Sequence, residues 1–173
     1  MPPREKPKLT HRSYHALDKG ACLRIFEANI PKFILPHERA DFAAFLDGLP
    51  HTGYYLVLED EKGTVVACGG FAIEHDAEAV LCWGMVDPEF QGLGIGGTLR
   101  HLRLQMMTEI PNLKLVRLST SQKDAPFFES YGFTITQVVP NGYGPELHKV
   151  DMELLLNEMT HEAVRAQLRL DEA

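Results

Sequence analysis

Cysteine is scarce in this chain. Its three residues, Cys22, Cys68 and Cys82, are odd in number and lack the paired spacing of a disulfide framework or a zinc site. Each reads as a small apolar residue of the interior. Cations are outnumbered, 17 Lys and Arg against 24 Asp and Glu. That balance disfavours a sequence-independent grip on nucleic acid, which works by neutralising phosphates with clustered positive charge. A cationic small molecule or peptide is the easier partner. Long hydrophobic runs are missing as well: nothing approaches the ~20 apolar residues of a membrane span. The start, Met1 to Lys8, carries charges and three prolines but no apolar segment of the kind a secretory signal needs. The expectation is a cytoplasmic protein with no membrane partner. Repeats, low-complexity tracts and Gly/Ser linkers are absent too. Residues 1–173 are therefore expected to form a single domain, with a core over 9–155 and a C-terminal helix over 157–170. His11 and His15, four apart, have no evident third ligand, and no metal is expected.

What is present is a mixed order of helix and strand signals. A first strand is expected near 9–16, and Leu23, Phe26 and Ile30 suggest a short helix. Phe42, Phe45, Leu46 and Leu49 fall at i, i+3, i+4 and i+7, one apolar stripe of a helix that Pro36 helps to start and Gly48 with Pro50 helps to end. Strand chemistry follows over Tyr54–Glu59 and Thr64–Ile73, an antiparallel hairpin about the turn Asp60–Gly63. Ala79–Val86 is apolar on both faces and reads as a central strand, Val80, Cys82 and Gly84 facing one way and Leu81, Trp83 and Met85 the other. Ile95, Leu99, Leu102, Met106 and Ile110 form the stripe of a long helix stopped by Pro111. Then come a strand over Leu113–Thr120, a short helix over Asp124–Tyr131 with an Asp cap, and a strand over Phe133–Val139. A last strand is expected over Leu147–Leu155. Thr160 is expected to cap a final helix whose apolar positions include Ala163, Val164 and Leu168. The order indicates an α+β fold.

The strongest chemical signal lies between the central strand and the long helix: Val86-Asp87-Pro88-Glu89-Phe90-Gln91-Gly92-Leu93-Gly94-Ile95-Gly96-Gly97, with four glycines in six residues. Glycine lets the backbone turn sharply and approach a ligand, and successive amides at a helix start converge on one concavity. The positive end of the helix adds its field, so phosphate binding there requires no Lys or Arg within Gln91–Gly97. A Gly-rich turn that merely caps a helix is the plain alternative. Gly92-x-Gly94-x-x-Gly97 also fits the dinucleotide fingerprint literally, but that fingerprint follows its strand at once, whereas five residues intervene here, and the next strand ends in Ser119 and Thr120 without a ribose-binding acid. A nicotinamide-dependent protein is therefore set aside. A P-loop is excluded because no Gly-Lys-Ser/Thr follows.

Val86-x-Pro88-x-x-Gln91-Gly92-x-Gly94-x-Gly96, followed after about thirty residues by Ala125-x-Phe127-Phe128-Glu129-x-x-Gly132-Phe133, resembles the two signatures of GNAT acetyltransferases. The resemblance covers residues 64–155 and implies a mixed, mostly antiparallel sheet splayed between two central strands and flanked by helices. It implies acetyl-coenzyme A (acetyl-CoA) as cosubstrate, lying between the strands that end at Val86 and Ser119. By the same resemblance, backbone groups of Met85 and Val86 hold the pantetheine arm, and Gln91, Gly92, Leu93, Gly94, Ile95, Gly96 and Gly97 form the diphosphate cradle. Gln122 stands where many members have an Asn that bonds the pantetheine, and the Val86 amide faces the thioester oxygen as oxyanion donor. The implied reaction is direct attack by a primary amine of a small molecule or peptide.

Two departures from the family pattern matter. The Tyr that usually protonates the leaving thiolate is Phe128, which has no proton to give. Tyr131, three positions on, is a candidate acid from a shifted register or a packing aromatic. No carboxylate sits on the central strand; Glu74 and Glu78 are nearest and read as a solvated turn with His75 and Asp76. The segment Asn141–His148 is expected to be a long turn beside the acceptor pocket, with Tyr143 and Glu146 as acceptor-binding candidates and His148 as a base, or else an ordinary Gly/Pro hairpin. Without the usual acid, a non-catalytic acyl-CoA-binding module is the alternative to an enzyme. A homodimer stays open.

Overall fold

The computed structural model describes residues 2–30, 38–49, 54–75 and 77–172. The positions of Pro36, Pro50 and Asp76, to which the sequence assigned a helix start, a helix end and part of a turn, lie outside the described residues. Twelve principal elements follow one another: β1 (Thr10–Ser13), α1 (Lys19–Ala28), α2 (Arg39–Gly48), β2 (Tyr55–Glu59), β3 (Val65–His75), β4 (Glu78–Val86), α3 (Ile95–Thr108), β5 (Leu115–Ser121), α4 (Ala125–Ser130), β6 (Thr134–Gly144), β7 (Leu147–Leu155) and α5 (Glu158–Glu172). The strands form one seven-stranded sheet in the order β1-β2-β3-β4-β5-β7-β6. Pairing is antiparallel for β1–β2, β2–β3, β5–β7 and β6–β7, and parallel for β4–β5, where the register runs from Glu78 opposite Leu115 to Val80 opposite Arg117. This is the mixed α+β architecture expected.

Two compact units share the chain, Met1–Phe71 with Cys82–Arg100, and Ala72–Leu81 with His101–Ala173. In the first, α1 and α2 bury Cys22, Ile25, Phe26, Phe42 and Leu46 with Tyr55, Val57 and Cys68. Phe26 and Phe42 stack at 5.4 Å, and Trp83 lies 5.0 Å from Phe42 and 6.4 Å from Phe45. The thiols of Cys22 and Cys68 are both buried, and Cys68 together with burial pushes the Cys22 thiol far above its ordinary range, so it stays a neutral core group. In the second unit Val116, Leu118, Val150, Met152 and Leu154 from β5 and β7 are buried, as are Phe128, Tyr131 and Phe133 around α4 and Val164 and Leu168 of α5.

Four local expectations are corrected. The covered face of α3 rotates: Ile95 and Leu99 are buried first, then Arg103, Leu104, Met107 and Thr108, while Leu102 and Met106 are half-buried. The buried positions drift around the helix, and a single stripe does not describe them. The α5 cap is Asn157, not Thr160. The Asn157 side chain accepts from the Thr160 amide at 3.0 Å while the Thr160 hydroxyl accepts from the Asn157 amide at 2.8 Å, a reciprocal capping box, and Ala163 is exposed. Asp124 holds the N-cap position of α4 without a side-chain cap bond. The long turn expected over 141–148 is instead a tight hairpin: β6 runs on to Gly144, which pairs with Leu147, after a bulge beyond Val139. Asn141 and Glu146 take left-handed φ of 56° and 60° to allow it.

Candidate functional site

The cradle is built by β4, a short 3-10 turn at Pro88–Phe90 and the start of α3. Asp87 opens that turn, its carboxylate accepting from the Glu89 amide at 3.0 Å, with Pro88 in first position, where its missing N–H costs nothing. Gly92 and Gly94 then adopt φ of 78° and 81°, which side chains resist, and a Cβ at either would meet no atom within 4 Å. Open space beside two left-handed glycines, at the head of a helix of 14 residues, fits an anionic ligand bound by main-chain amides. Gly96 and Gly97 sit in the first turn of α3. Positions for their Cβ atoms lie 3.8 and 4.0 Å from the Arg100 guanidinium. Arg100 is thus a cation at the cradle's edge that the sequence reading missed. Its signal was a basic residue three and four positions beyond two glycines of a helix.

The end of β4 is pinned by groups remote in sequence. Buried Asn29, which closes α1, donates from Nδ2 to the Val86 carbonyl at 3.1 Å, and Gln91 Nε2 donates to that carbonyl at 3.1 Å and to Asn29 Oδ1 at 3.0 Å. Two donors fill the lone pairs of the Val86 oxygen. Gln91, expected to touch the cofactor, thus braces the strand end that precedes the cradle, and the Val86 carbonyl is engaged within the protein. Asn29 could not be foreseen as its partner, because it stands 57 residues away.

Trp83 lies within the strand that leads there, with an unusual backbone. Its φ is 48°, rare for a bulky residue and costing about 1–3 kcal/mol when held by surrounding structure. The hold is visible: the phenol of Tyr55, 1% exposed, donates to the Trp83 carbonyl at 2.7 Å, and the indole packs among Phe26, Phe42 and Phe45. Burial raises the Tyr55 hydroxyl well above its ordinary range, so it remains a donor. Trp83 and Met85, expected on one face of Val80–Met85, both pack into the first unit's core. Met85 is buried and Gly84 exposed.

In the second unit the β6–β7 hairpin is held by a side chain just beyond β5 and by one of its own. Gln122 Nε2 donates to the Glu146 carbonyl at 2.7 Å, and Gln122 Oε1 accepts from the His148 amide at 2.8 Å. Both ends of its amide are engaged by the turn. Asn141 mirrors this from the opposite strand, its Oδ1 accepting from the Glu146 amide at 2.8 Å and its own amide donating to His148 Nδ1 at 3.0 Å. An imidazole nitrogen that accepts carries no proton, so in the neutral ring the proton sits on Nε2 and His148 presents a donor there. Acting as a base would first break the bond to Asn141. Glu146 is exposed at the tip and Tyr143 is half-buried. Phe128 and Tyr131 are 4% and 3% exposed, and Tyr131 lies 5.2 Å from the Phe127 ring. Glu74 and Glu78 share Arg117 at 3.2 and 3.1 Å. His15 caps a 3-10 turn through Nδ1. Among the described residues no three His, Cys, Asp or Glu side chains gather as metal ligands, and no helix is long and apolar enough to cross a membrane.

Residues 51–135 match the family model "Acetyltransferase (GNAT) domain", a span that holds the central strand, the cradle and α4. With both signatures in order and the sheet as described, the chain belongs to the GNAT superfamily of acetyltransferases. Similar folds include Ard1 from Thermoplasma volcanium, 24% identical over 87% of this chain and 99% of that one with a TM-score of 0.67. A phosphinothricin acetyltransferase from Sinorhizobium meliloti in complex with AcCoA is 19% identical over 87% and 89%, TM-score 0.70. A ribosomal-protein-alanine N-acetyltransferase from Brucella melitensis is 20% identical over 85% and 99%, TM-score 0.65.

Proposed function

We propose that this chain moves an acetyl group from acetyl-CoA to a primary amine of a small molecule or peptide by direct attack. The observation that carries the reading is the pair of left-handed glycines, Gly92 and Gly94, opening clear space at the head of α3, one short turn beyond a strand whose last carbonyl is pinned. By the family resemblance this region holds the acyl donor, and two fold neighbours are a phosphinothricin acetyltransferase in complex with AcCoA and a ribosomal-protein-alanine N-acetyltransferase.

In this reading the amides of Gly92–Gly97, with Leu93 and Ile95 between, hold the diphosphate, and Met85 and Val86 border the pantetheine. Because the Val86 carbonyl is occupied by Asn29 and Gln91, Val86 contributes its amide, as oxyanion donor. A neutral amine attacks the thioester carbonyl carbon, a C–N bond forms and the carbonyl oxygen takes the negative charge. The C–S bond then breaks, the carbonyl reforms, the sulfur leaves as thiolate and the new amide nitrogen loses its extra proton. A thiol pKa near ~8.5 makes thiolate a tolerable leaving group, and losing a general acid costs about 10²–10⁴ in rate. With Phe128 in the usual acid's place and Tyr131 buried beside Phe127, solvent is the proposed proton source, and the proton from nitrogen leaves to solvent as well. Glu146, exposed at the hairpin tip, is proposed to attract a cationic acceptor, with Tyr143 beside it. The proposed setting is cytoplasmic.

Phe128 also favours a second reading, a module that binds acyl-CoA without turnover. Incubating the protein with acetyl-CoA and a panel of amines while following free thiol separates the two. Amine-dependent thiol release supports the enzyme; tight binding with no release on any acceptor supports the module; no binding of coenzyme A sinks both.

A further inference from the structure

The cradle's own sequence offers a polyanion little charge. From Val86 to Leu99 the charged residues are Asp87 and Glu89, and the first cation is Arg100. The whole chain carries a formal charge of −7. At physiological ionic strength fields fade over about 8 Å, so only cations at the rim can offset the two neighbouring carboxylates.

Two such cations come from the other end of the sequence. Arg4 Nη2 donates to the Glu89 carbonyl, and Lys6 Nζ donates to the Thr98 hydroxyl at 2.5 Å, contacts that span 85 and 92 residues. Glu89 lies in the turn before the glycines and Thr98 in the first turn of α3 after them, so Arg4 and Lys6 bracket the cradle. The Thr98 hydroxyl donates in turn to the Gly94 carbonyl at 3.2 Å, linking Lys6 to a left-handed glycine. The local sequence favours this placement. Pro3 and Pro7 flank Arg4-Glu5-Lys6, and proline holds itself and the residue before it extended. In an extended chain residues two apart share a side, which sets Arg4 and Lys6 apart from Glu5. Beyond them, the Lys8 amide donates to the Glu61 carboxylate at 3.4 Å and Thr10 starts β1, which anchors the arm.

We propose that the segment before β1 is a cationic strap whose Arg4 and Lys6 grip the phosphates of the acyl carrier at the cradle. The proposal rests on the reading that the cradle binds coenzyme A. Both cations are bonded to neutral oxygens, a carbonyl and a hydroxyl, and a phosphate oxygen is the stronger partner for either. The strap restores, from outside the motif, positive charge that the motif's own acidic flank removes.

The test is titration of coenzyme A into the wild-type protein, the double variant Arg4→Gln/Lys6→Gln and the charge control Lys19→Gln, at about 50 and 200 mM salt. Lys19 pairs with Asp47 at the start of α1 and has no place in the cradle. The expected result is a roughly tenfold rise in Kd for the double variant at low salt, a shallower salt dependence, and wild-type values for the control. Dephospho-coenzyme A locates the contact: an effect that vanishes with it assigns the strap to the 3′-phosphate, and one that persists assigns it to the diphosphate. A double variant with wild-type Kd and salt dependence overturns the strap alone. A wild-type protein that does not bind coenzyme A overturns the cradle reading beneath it.

Discussion

Gly94 and Gly96 look interchangeable in a motif and differ in physical terms. Gly94 has a left-handed φ, so any side chain there strains the backbone whatever the ligand does. Gly96 lacks that constraint, and its added Cβ would rest 3.8 Å from both the Val86 and Arg100 side chains, ordinary contact. Gly96→Ala is therefore expected to keep or slightly raise the melting temperature, while, if the cradle binds as proposed, coenzyme A binds at least about tenfold more weakly because the added methyl group hinders close approach of the phosphates to the backbone. Calorimetric titration beside a thermal melt checks both halves, and unchanged affinity would count against the cradle. Tyr55 offers a second residue-scale test. Tyr55→Phe removes the donor to a buried carbonyl, a loss of about 1–3 kcal/mol, or a few degrees of melting temperature per kcal/mol in a chain of this size. It also frees Trp83 to leave its left-handed conformation three residues before Val86. If Val86 is the oxyanion donor as proposed, kcat should fall by more than coenzyme A affinity changes, because that donor loses its placement while the cradle keeps its glycines.

Among the elements, the β6–β7 hairpin is held from outside by Gln122. Gln122→Ala takes away the acceptor of the His148 amide, so exchange of that amide with deuterium should accelerate about tenfold, the kinetic equivalent of one hydrogen bond. Amides on the paired stretch of β5 and β7 from Leu115 to Thr120 should be unaffected, and slow exchange at His148 in the variant would dismiss the clamp. This hairpin also marks the limit of what the sequence made legible. The strands and helices were readable wherever period or turn chemistry is local, and so was the glycine turn, because positive φ is a one-residue demand. The extension of β6 to Gly144 was not: Gly142, Gly144 and Pro145 are turn formers, and only the side chains of Gln122 and Asn141 convert them into a bulged ladder. The same holds for the site. Asn29 against Val86, Tyr55 against Trp83, and Arg4 and Lys6 against the cradle join residues 57, 28, 85 and 92 apart, and no local rule predicts such pairs. The α5 cap failed for a smaller reason. Asn157 and Thr160 are both good caps, and which one leads depends on where the helix begins.

For the whole molecule, acid is the condition under which one tertiary tie should become visible. Asp18 is 7% exposed, bonded by both terminal nitrogens of Arg12 at 2.8 Å and by the His15 amide at 2.8 Å, while Arg12 also reaches Glu59 at 2.5 Å. The cluster joins β1, the turn before α1 and β2. Arg12 holds the Asp18 carboxyl below its ordinary value of 3.8, with the His15 amide adding to the effect against burial. A depressed folded-state pKa means that the unfolded chain takes up the proton first. The stabilisation is therefore complete above the ordinary carboxylate range, begins to fall as pH drops toward 3.8, and is gone once pH passes below the folded value. Asp18→Asn should lower stability by about 1–3 kcal/mol at neutral pH, the scale of hydrogen bonds to a charged group. The gap between variant and wild type should close as urea melts are repeated at successively lower pH. A gap that stays constant into acid would mean that Asp18 works through shape and neutral hydrogen bonding, and that its charge does not tie β1 to the rest of its unit.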